Sequence, residues 1–537
     1  MELSQKLVKD FFNENPLKII LYFTLILGSS WIDSLFIPKL VSKLVGEISL
    51  EMSIRPILIF WITSQLFLAI AVRLYSRLMP KFNSFVRNTL LEKIFNKFQY
   101  EYTEVDLSSF ISRFILTPGH LKDLVSELLQ GVLPRFFVAI LTLSYFIKID
   151  KKLGITIAII QALGIIFVSL MLQKCLVFTK ERMKHFTELS SKFQDKLSNL
   201  FSVYISGRKN QEIIEGKQLV EKDLQRNTKT LSCLANVRVT SIFTNILCFI
   251  VIASTIIRKK VDKQKSTEMI LTTLILLSNF YYLMISTSII TEDLGTINEN
   301  EKFLRKLQTT IQPRTIEFIP GEGKIVFTNV TFAYADRQPV IKNMNLTLNP
   351  GDKIAFVGPS GSGKTTIVKL LLGFYPITNA EGKIEIDNQE PSKLSLDSLR
   401  KHITFISQNT KLFDESIYYN INYGNNKTKQ EIDKYVKNVG VMGIFKNLSN
   451  GLNTKAGING DNLSGGQKQA VHILRGFLSN NKIAILDEPT SAIDYENKKV
   501  IKDLIRKVSK NRTFILITHE DDMLDLVDKS IDVTTLA

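Results

Sequence analysis

Lys353-Ile354-Ala355-Phe356-Val357-Gly358-Pro359-Ser360-Gly361-Ser362-Gly363-Lys364-Thr365-Thr366 decides how the C-terminal part of this 537-residue chain folds. Its apolar start reads as a buried strand, and Ile367, Val368, Leu370 and Leu371 behind it read as an amphipathic helix. Between them stands G-x-x-x-x-G-K-T. Glycines at this spacing let backbone N–H groups close around phosphate oxygens, and the helix N-terminus adds its dipole. Gly358, Pro359, Ser360, Gly361, Ser362 and Gly363 form the cradle. Lys364 reaches the outer phosphates of a nucleotide, the Thr365 hydroxyl suits Mg²⁺, and Thr366 completes the expected nucleotide-binding stretch.

Downstream, Lys482-Ile483-Ala484-Ile485-Leu486-Asp487-Glu488 is a buried-strand pattern that ends in two carboxylates. Beside a phosphate loop, Asp487 suits the magnesium and Glu488 suits the attacking water. Between these stretches lies Asn462-Leu463-Ser464-Gly465-Gly466-Gln467, directly ahead of a second helix. A serine hydroxyl and two glycines at a helix start suit another anion. LSGGQ between a phosphate loop and an acidic strand end resembles the signature of the ABC ATPase family. That resemblance implies an α/β P-loop NTPase fold that binds ATP and Mg²⁺. It also implies head-to-tail pairing, in which Leu463, Ser464, Gly465, Gly466 and Gln467 of one copy cover the ATP of another.

Other family positions match residue by residue. Tyr334 in Phe332-Ala333-Tyr334 resembles the aromatic that stacks on adenine. Gln408, ending Phe405-Ile406-Ser407-Gln408, resembles the glutamine that senses Mg²⁺ and faces the membrane domain. Asp494 in Ser491-Ala492-Ile493-Asp494 looks like the D-loop acid of the dimer seam. His519, after the strand Phe514–Thr518, looks like the histidine that contacts the γ-phosphate. The resemblance thus implies a catalytic set of Glu488, His519, Lys364 and Gln408, with Thr365, Gln408 and Asp487 around magnesium. Two positions depart from the family pattern: Ile458 in Gly457-Ile458-Asn459-Gly460 replaces a coupling glutamate, and Ala470 replaces a common arginine.

Six long apolar segments precede residue 292: Leu17–Leu40, Arg55–Leu78, Leu128–Ile147, Leu153–Leu172, Val239–Ile257 and Glu268–Thr291. Each is long enough for a hydrocarbon core of about 30 Å, which takes about 20 helical residues. Short connections follow the first, third and fifth. Long polar ones with helical periodicity, near 79–127 and 173–238, follow the second and fourth, and predict helices extended into the cytosol. Within them, Leu107–Arg113 and Ser202–Gly207 faintly resemble the coupling-helix regions of ABC exporters. The basic stretch Arg258-Lys259-Lys260-Val261-Asp262-Lys263-Gln264-Lys265 falls on the outer side, against the positive-inside rule. Asp33 lies about 24 Å along the first segment, near the outer interface, and Arg73 near the inner one. Gln65, Gln161 and Asn279 fall near the midplane, where interhelix hydrogen bonding or a substrate path would use them.

Composition agrees with a chain divided between lipid and water. Hydrophobic residues make up 45% and charged residues 22%, with a formal net charge of +17. That charge alone would admit nucleic acid as a partner, but the six spans assign it to membrane-flanking loops. Cys175, Cys233 and Cys248 form no CxxC pair, so isolated thiols are expected. Glu2, Asp10 and Glu14 in the first residues, without a small-residue cleavage site, favour a retained first helix over a signal peptide.

The domains expected are a membrane α-helical bundle over 1–292, a linker over 293–315 and an α/β ATPase domain over 316–537. Segment order and the stretch Leu412-Phe413-Asp414-Glu415-Ser416-Ile417 are similar to those of ABC exporter half-transporters. The expected function is ATP-driven export by alternating access. The expected partners are a second half-transporter, favoured as an identical copy over an unlike one, membrane lipid and a substrate, but no nucleic acid. A nucleotide-gated channel or regulator, an importer on the same fold, and a soluble ABC ATPase acting on DNA or ribosomes are the other readings. The six spans disfavour the last. Lipid, peptide, drug-like molecule and metal conjugate all stay open as the substrate.

Overall fold

The computed structural model describes residues 2–44, 50–100, 107–306, 314–334, 338–377, 381–407, 411–490, 493 and 495–536. The chain forms two compact units: residues 1–97 with 104–309, and 98–103 with 310–537.

The first unit is helical. Helix α1 (Glu2–Glu14) buries Leu3, Leu7 and Phe11, which recur every fourth residue along one face. Ser4 Oγ on the same face donates to Glu301 at 2.7 Å. Pro16 opens α2 (Pro16–Trp31), where its missing N–H has no helical partner to lose. A π-turn at Ile32–Phe36 joins it to α3 (Ile37–Leu44). There follow α4 (Leu50–Phe98), α5 (Leu107–Ser126), a second π-turn at Glu127–Val132, and α6 (Leu133–Ile149). The unit ends with α7 (Lys151–Ser198), the short α8 (Leu200–Ile205), α9 (Lys209–Arg258) and α10 (Lys263–Lys306). Six stretches of the described residues are helical, long and apolar enough to cross a membrane, and each contains most or all of one segment read from the sequence. Helix α7 has 48 residues, so it runs about 72 Å at 1.5 Å per residue. A bilayer core takes less than half of that, and the rest extends beyond it.

Hydrogen bonds between helices come mostly from residues other than the expected midplane amides. Ser29 and Ser64 bond at 2.9 Å, and Asn245 Nδ2 donates to the Leu277 carbonyl at 2.8 Å. Asn279 instead donates to Ile275 of its own helix. Gln161 is buried on α7, its Nε2 without a partner among the described residues. The expectation of isolated thiols is overturned for two cysteines. Cys175 of α7 and Cys233 of α9 form a disulfide, and only Cys248 is a free, buried thiol. Fifty-eight residues separate the pair, which meets only because α7 and α9 run side by side. Helix α10 continues through the start of the expected linker, burying Asp293, Thr296 and Asn300.

The second unit is layered. A three-stranded antiparallel sheet, ordered β2-β1-β4, uses β1 (Ile325–Phe332), β2 (Ile341–Leu348) and β4 (Lys383–Ile386). A five-stranded parallel sheet, ordered β5-β6-β7-β3-β8, uses β3 (Lys353–Val357), β5 (Ile403–Ile406), β6 (Ile483–Asp487), β7 (Thr513–Ile517) and β8 (Lys529–Asp532). Strands β6 and β7 are buried at every residue, which explains their unbroken apolar runs. Around the sheets lie α11 (Lys364–Leu371), α12 (Leu396–Lys401), α13 (Ile417–Asn422), α14 (Lys429–Val439), α15 (Gly465–Leu478) and α16 (Tyr495–Val508).

Candidate nucleotide site

Parallel pairing gathers the site. Strands β3, β6 and β7 are neighbours in one register, so Val357, Asp487 and Ile517 end at the same edge of the sheet. The phosphate loop, the paired acids and His519 follow those ends, where open α/β sheets bind ligands.

Gly363 caps α11 with φ +99°, a conformation that side chains disfavour. A Cβ there would also stand 3.0 Å from Val340 Cγ1. Lys364 is buried, and its ammonium donates to the carbonyls of Gly358 and Pro359 at 2.8 and 2.9 Å. The loop is thus held closed around its own cation. Ser362 Oγ is buried without a partner among the described residues. A buried ammonium, an orphan hydroxyl and a glycine cradle fit the phosphates of a nucleotide. Thr365 Oγ1 donates to Asp487 Oδ2 at 3.3 Å, joining the two groups expected around a divalent cation.

Asp487 is buried, and its carboxyl is held above the usual carboxylate range by desolvation, with the neighbouring Glu488 charge adding to the effect. The hydrogen bond from Thr365 opposes the shift. A cation in front of Asp487 would reverse this balance. Glu488 has φ +47° and donates its backbone N–H to Ile517 O at 2.9 Å. Its carboxylate Oε1 lies 3.2 Å from His519 Nε2. The chain therefore turns sharply after Asp487, and adjacent acids have different partners, Thr365 for one and His519 for the other.

Tyr334 packs edge-on against Phe332 and Tyr375, with ring centroids at 5.1 and 5.3 Å. Its hydroxyl meets Thr366 Oγ1 at 3.0 Å. Tyr375 was not legible as part of this aromatic wall, because it lies 41 residues further along the chain. Gln408, Ser491, Ala492 and Asp494 fall outside the described residues.

Ser464 caps α15 in a reciprocal box. Its hydroxyl accepts from Gln467 N at 3.3 Å, and Gln467 Oε1 accepts from Ser464 N at 3.0 Å. Gln467 Nε2 also donates to Ile444 O, so that side chain is engaged within its own domain. Leu463 and Gly466 are buried, and a Cβ on Gly466 would stand 2.8 Å from Asn497 Cβ. Ser464 and Gly465 are exposed. The stretch thus splits into a buried, structural half and an outward-facing polar half. Ala470 is fully buried on α15, and Ile458 stands exposed in a short 3₁₀ turn.

Sequence reading missed one set of contacts within the second unit. Gln99 and Tyr100, at the turn after α4, cluster with the sheet unit. Arg400 Nη2 donates to the Gln99 carbonyl at 2.6 Å, and Arg314 N donates to Tyr100 Oη at 3.3 Å. Arg400 also lies over the Phe374 ring at 4.0 Å, and burial pushes its guanidinium down to about 10. The expected coupling region Ser202–Gly207 overlaps α8, whose Phe201, Tyr204 and Ile205 are exposed. Residues 107–113 open α5.

A family model described as ABC transporter matches residues 341–491. The ATP-dependent lipid A-core flippase of Francisella tularensis subsp. holarctica (strain OSU18) is 35% identical over 217 residues, 40% of this chain and 35% of that protein. The mitochondrial iron-sulfur clusters transporter ATM1 of Debaryomyces hansenii is 38% identical over 236 residues, 43% of this chain and 34% of that one. The ATP-binding cassette sub-family B member 6 of Mus musculus is 39% identical over 247 residues, 44% of this chain and 28% of that protein. The matched stretch therefore spans about a third of the length of these relatives. The structure of a bacterial Atm1-family ABC exporter with ATP bound superposes with a TM-score of 0.81 at 21% identity. That likeness covers 97% of this chain and 94% of the other, and extends the shared fold to the membrane half.

Proposed function

We infer that this chain, a member of the ABC transporter family with the exporter fold, is a half-transporter that exports a substrate across a membrane at the expense of ATP. The carrying observation is the joining of Lys364, Thr365, Asp487, Glu488 and His519 at one sheet edge, in a chain with six membrane-length helices. The ATPase domain is cytosolic.

Catalysis of phosphoryl transfer is positioning plus electrostatics. Lys364 gives up its two loop carbonyls for phosphate oxygens. Thr365 and Asp487 would hold Mg²⁺, which supplies charge neutralisation across the phosphates. Glu488 orients the attacking water and takes up its proton. His519, already beside Glu488, holds that carboxylate in place and donates toward the γ-phosphate. The exposed Ser464 and Gly465 supply a second phosphate-suited helix start, which serves the ATP of another subunit. ATP then joins two domains, hydrolysis separates them, and α7 and α9 transmit the movement into the membrane half. An identical partner is favoured because this chain carries a complete set of hydrolytic residues.

The test is ATP turnover and vesicle transport by the full-length protein in bilayers. Turnover stimulated by one member of a panel of lipids, peptides, drug-like molecules and metal conjugates, together with its vectorial movement, supports export. Ion currents gated by nucleotide, without vectorial transport, would assign a channel instead.

A further inference from the structure

We propose that the end of the helical bundle remote from the ATPase connection is a binding surface for the phosphate groups of lipid headgroups. The turn between α6 and α7 meets the turn between α9 and α10, and an ion pair from Lys259 to Asp150 clasps them together. Residues 148–152 and 258–265 carry eight basic side chains against two carboxylates, Asp150 and Asp262, a surplus of six.

Both carboxylates are already engaged. Asp150 accepts from the backbone N–H of Lys152 and Leu153 at 3.0 and 3.3 Å, and the Lys259 ammonium holds it below the usual carboxylate range. Asp262 accepts from Lys265 N at 2.9 Å and lies 3.7 Å from the Lys265 ammonium. Lys148, Lys151, Lys152, Arg258, Lys260 and Lys263 are all exposed, and none has a carboxylate in ion-pair range among the described residues. Lys151, Lys152 and Lys263 stand in the first turns of α7 and α10, where the helix dipole disfavours a cation. Six cations on two joined turns repel one another, and among the described residues no carboxylate pairs with them.

Their height selects the partner. Ile147, Ile149, Ile155, Ile257 and Ile270 lie beside these cations along the same helices and are exposed. An exposed apolar belt below a basic rim puts the rim at the level of lipid phosphates, whereas a free anion in solution would require no belt. The excess charge runs against the usual bias toward the cytosolic side, and phosphate-bearing lipid in the opposite leaflet balances it.

Full-length protein in phosphatidylcholine vesicles, carrying a trace of spin-labelled phosphatidylglycerol or spin-labelled phosphatidylcholine, gives the direct readout. The immobilised fraction of each label measures its association. The parent should prefer phosphatidylglycerol, and the preference should weaken as salt is raised. Changing Lys148, Lys151, Lys152, Arg258, Lys260 and Lys263 to Gln should reduce that preference by about fivefold or more at low salt. Changing the five lysines to Arg should preserve it. The doubles Lys151→Gln/Lys152→Gln and Arg258→Gln/Lys260→Gln should each give a partial loss, which keeps the test open if the sixfold variant does not assemble. A parent without the preference, or Gln variants that retain it in full, would overturn the proposal. The readout requires no ATP turnover, so its failure and that of the export reading are separable.

Discussion

Asp487 and Glu488 are chain neighbours, and the backbone gives them different work. The left-handed conformation at Glu488 costs about 1 kcal/mol or more for a residue with a side chain. It directs one carboxylate to Thr365 and the other to His519. Sequence reading singled out the acids, Lys364 and His519 because each follows a buried strand within a motif of fixed order. It could not show the turn at Glu488, which no residue type announces. The raised carboxyl of Asp487 has a consequence for stability. A carboxyl with a folded pKa above its unfolded one is relatively favoured when protonated. The ligand-free domain therefore loses stability as pH rises through that interval and carries the penalty above it. Asp487→Asn should raise the thermal midpoint of the ligand-free protein at pH 7 while weakening Mg-ATP binding. A lowered midpoint in a well-folded variant would contradict this. Lys364→Ala should abolish detectable ATP turnover, and ordinary turnover would mean that the loop does not hold the phosphates.

Elements show where sequence patterns are sufficient and where they are not. Spans of about 20 apolar residues are legible because a bilayer demands that length. Contacts between helices are not, since they depend on which faces meet. Cys175 and Cys233 bond across two long helices, and no spacing rule connects them. Arg400 is a similar case. Its partners, Leu372 O, Gln99 O and the Phe374 ring, come from separate parts of the chain. Arg400→Ala should leave ATP affinity within about twofold, because no atom of the phosphate cradle is touched, yet reduce substrate stimulation of turnover. Unchanged stimulation would mean that the Gln99 turn plays no part in that response. At α15, Ser464→Ala should cost about 1 kcal/mol of stability through the lost cap. It should reduce turnover by more than that stability loss explains if the exposed hydroxyl also serves a neighbouring subunit's ATP.

At the scale of the whole molecule, the chain contributes one phosphate cradle and one signature helix start. Its order of domains was legible because lipid and water impose different residue patterns on the two halves. The substrate was not, since the membrane half offers apolar surface with scattered amides and hydroxyls. The central claim is that a second copy completes the ATP site, and Glu488→Gln isolates it. The amide keeps the shape of the carboxylate but is a poor base, and loss of a general base typically slows turnover by about 10²–10⁴-fold. Lys364, Thr365, Asp487 and Ser464 remain to hold nucleotide. The decisive measurement is crosslinking in the full-length Glu488→Gln protein between cysteines placed at Ser360 of one subunit and Ser464 of the other. Crosslinking should rise sharply with Mg-ATP, stay low with Mg-ADP and accompany slow turnover. A folded variant that turns over ATP within about threefold of the parent, far inside the expected loss, or that crosslinks equally with and without ATP, would contradict the claim.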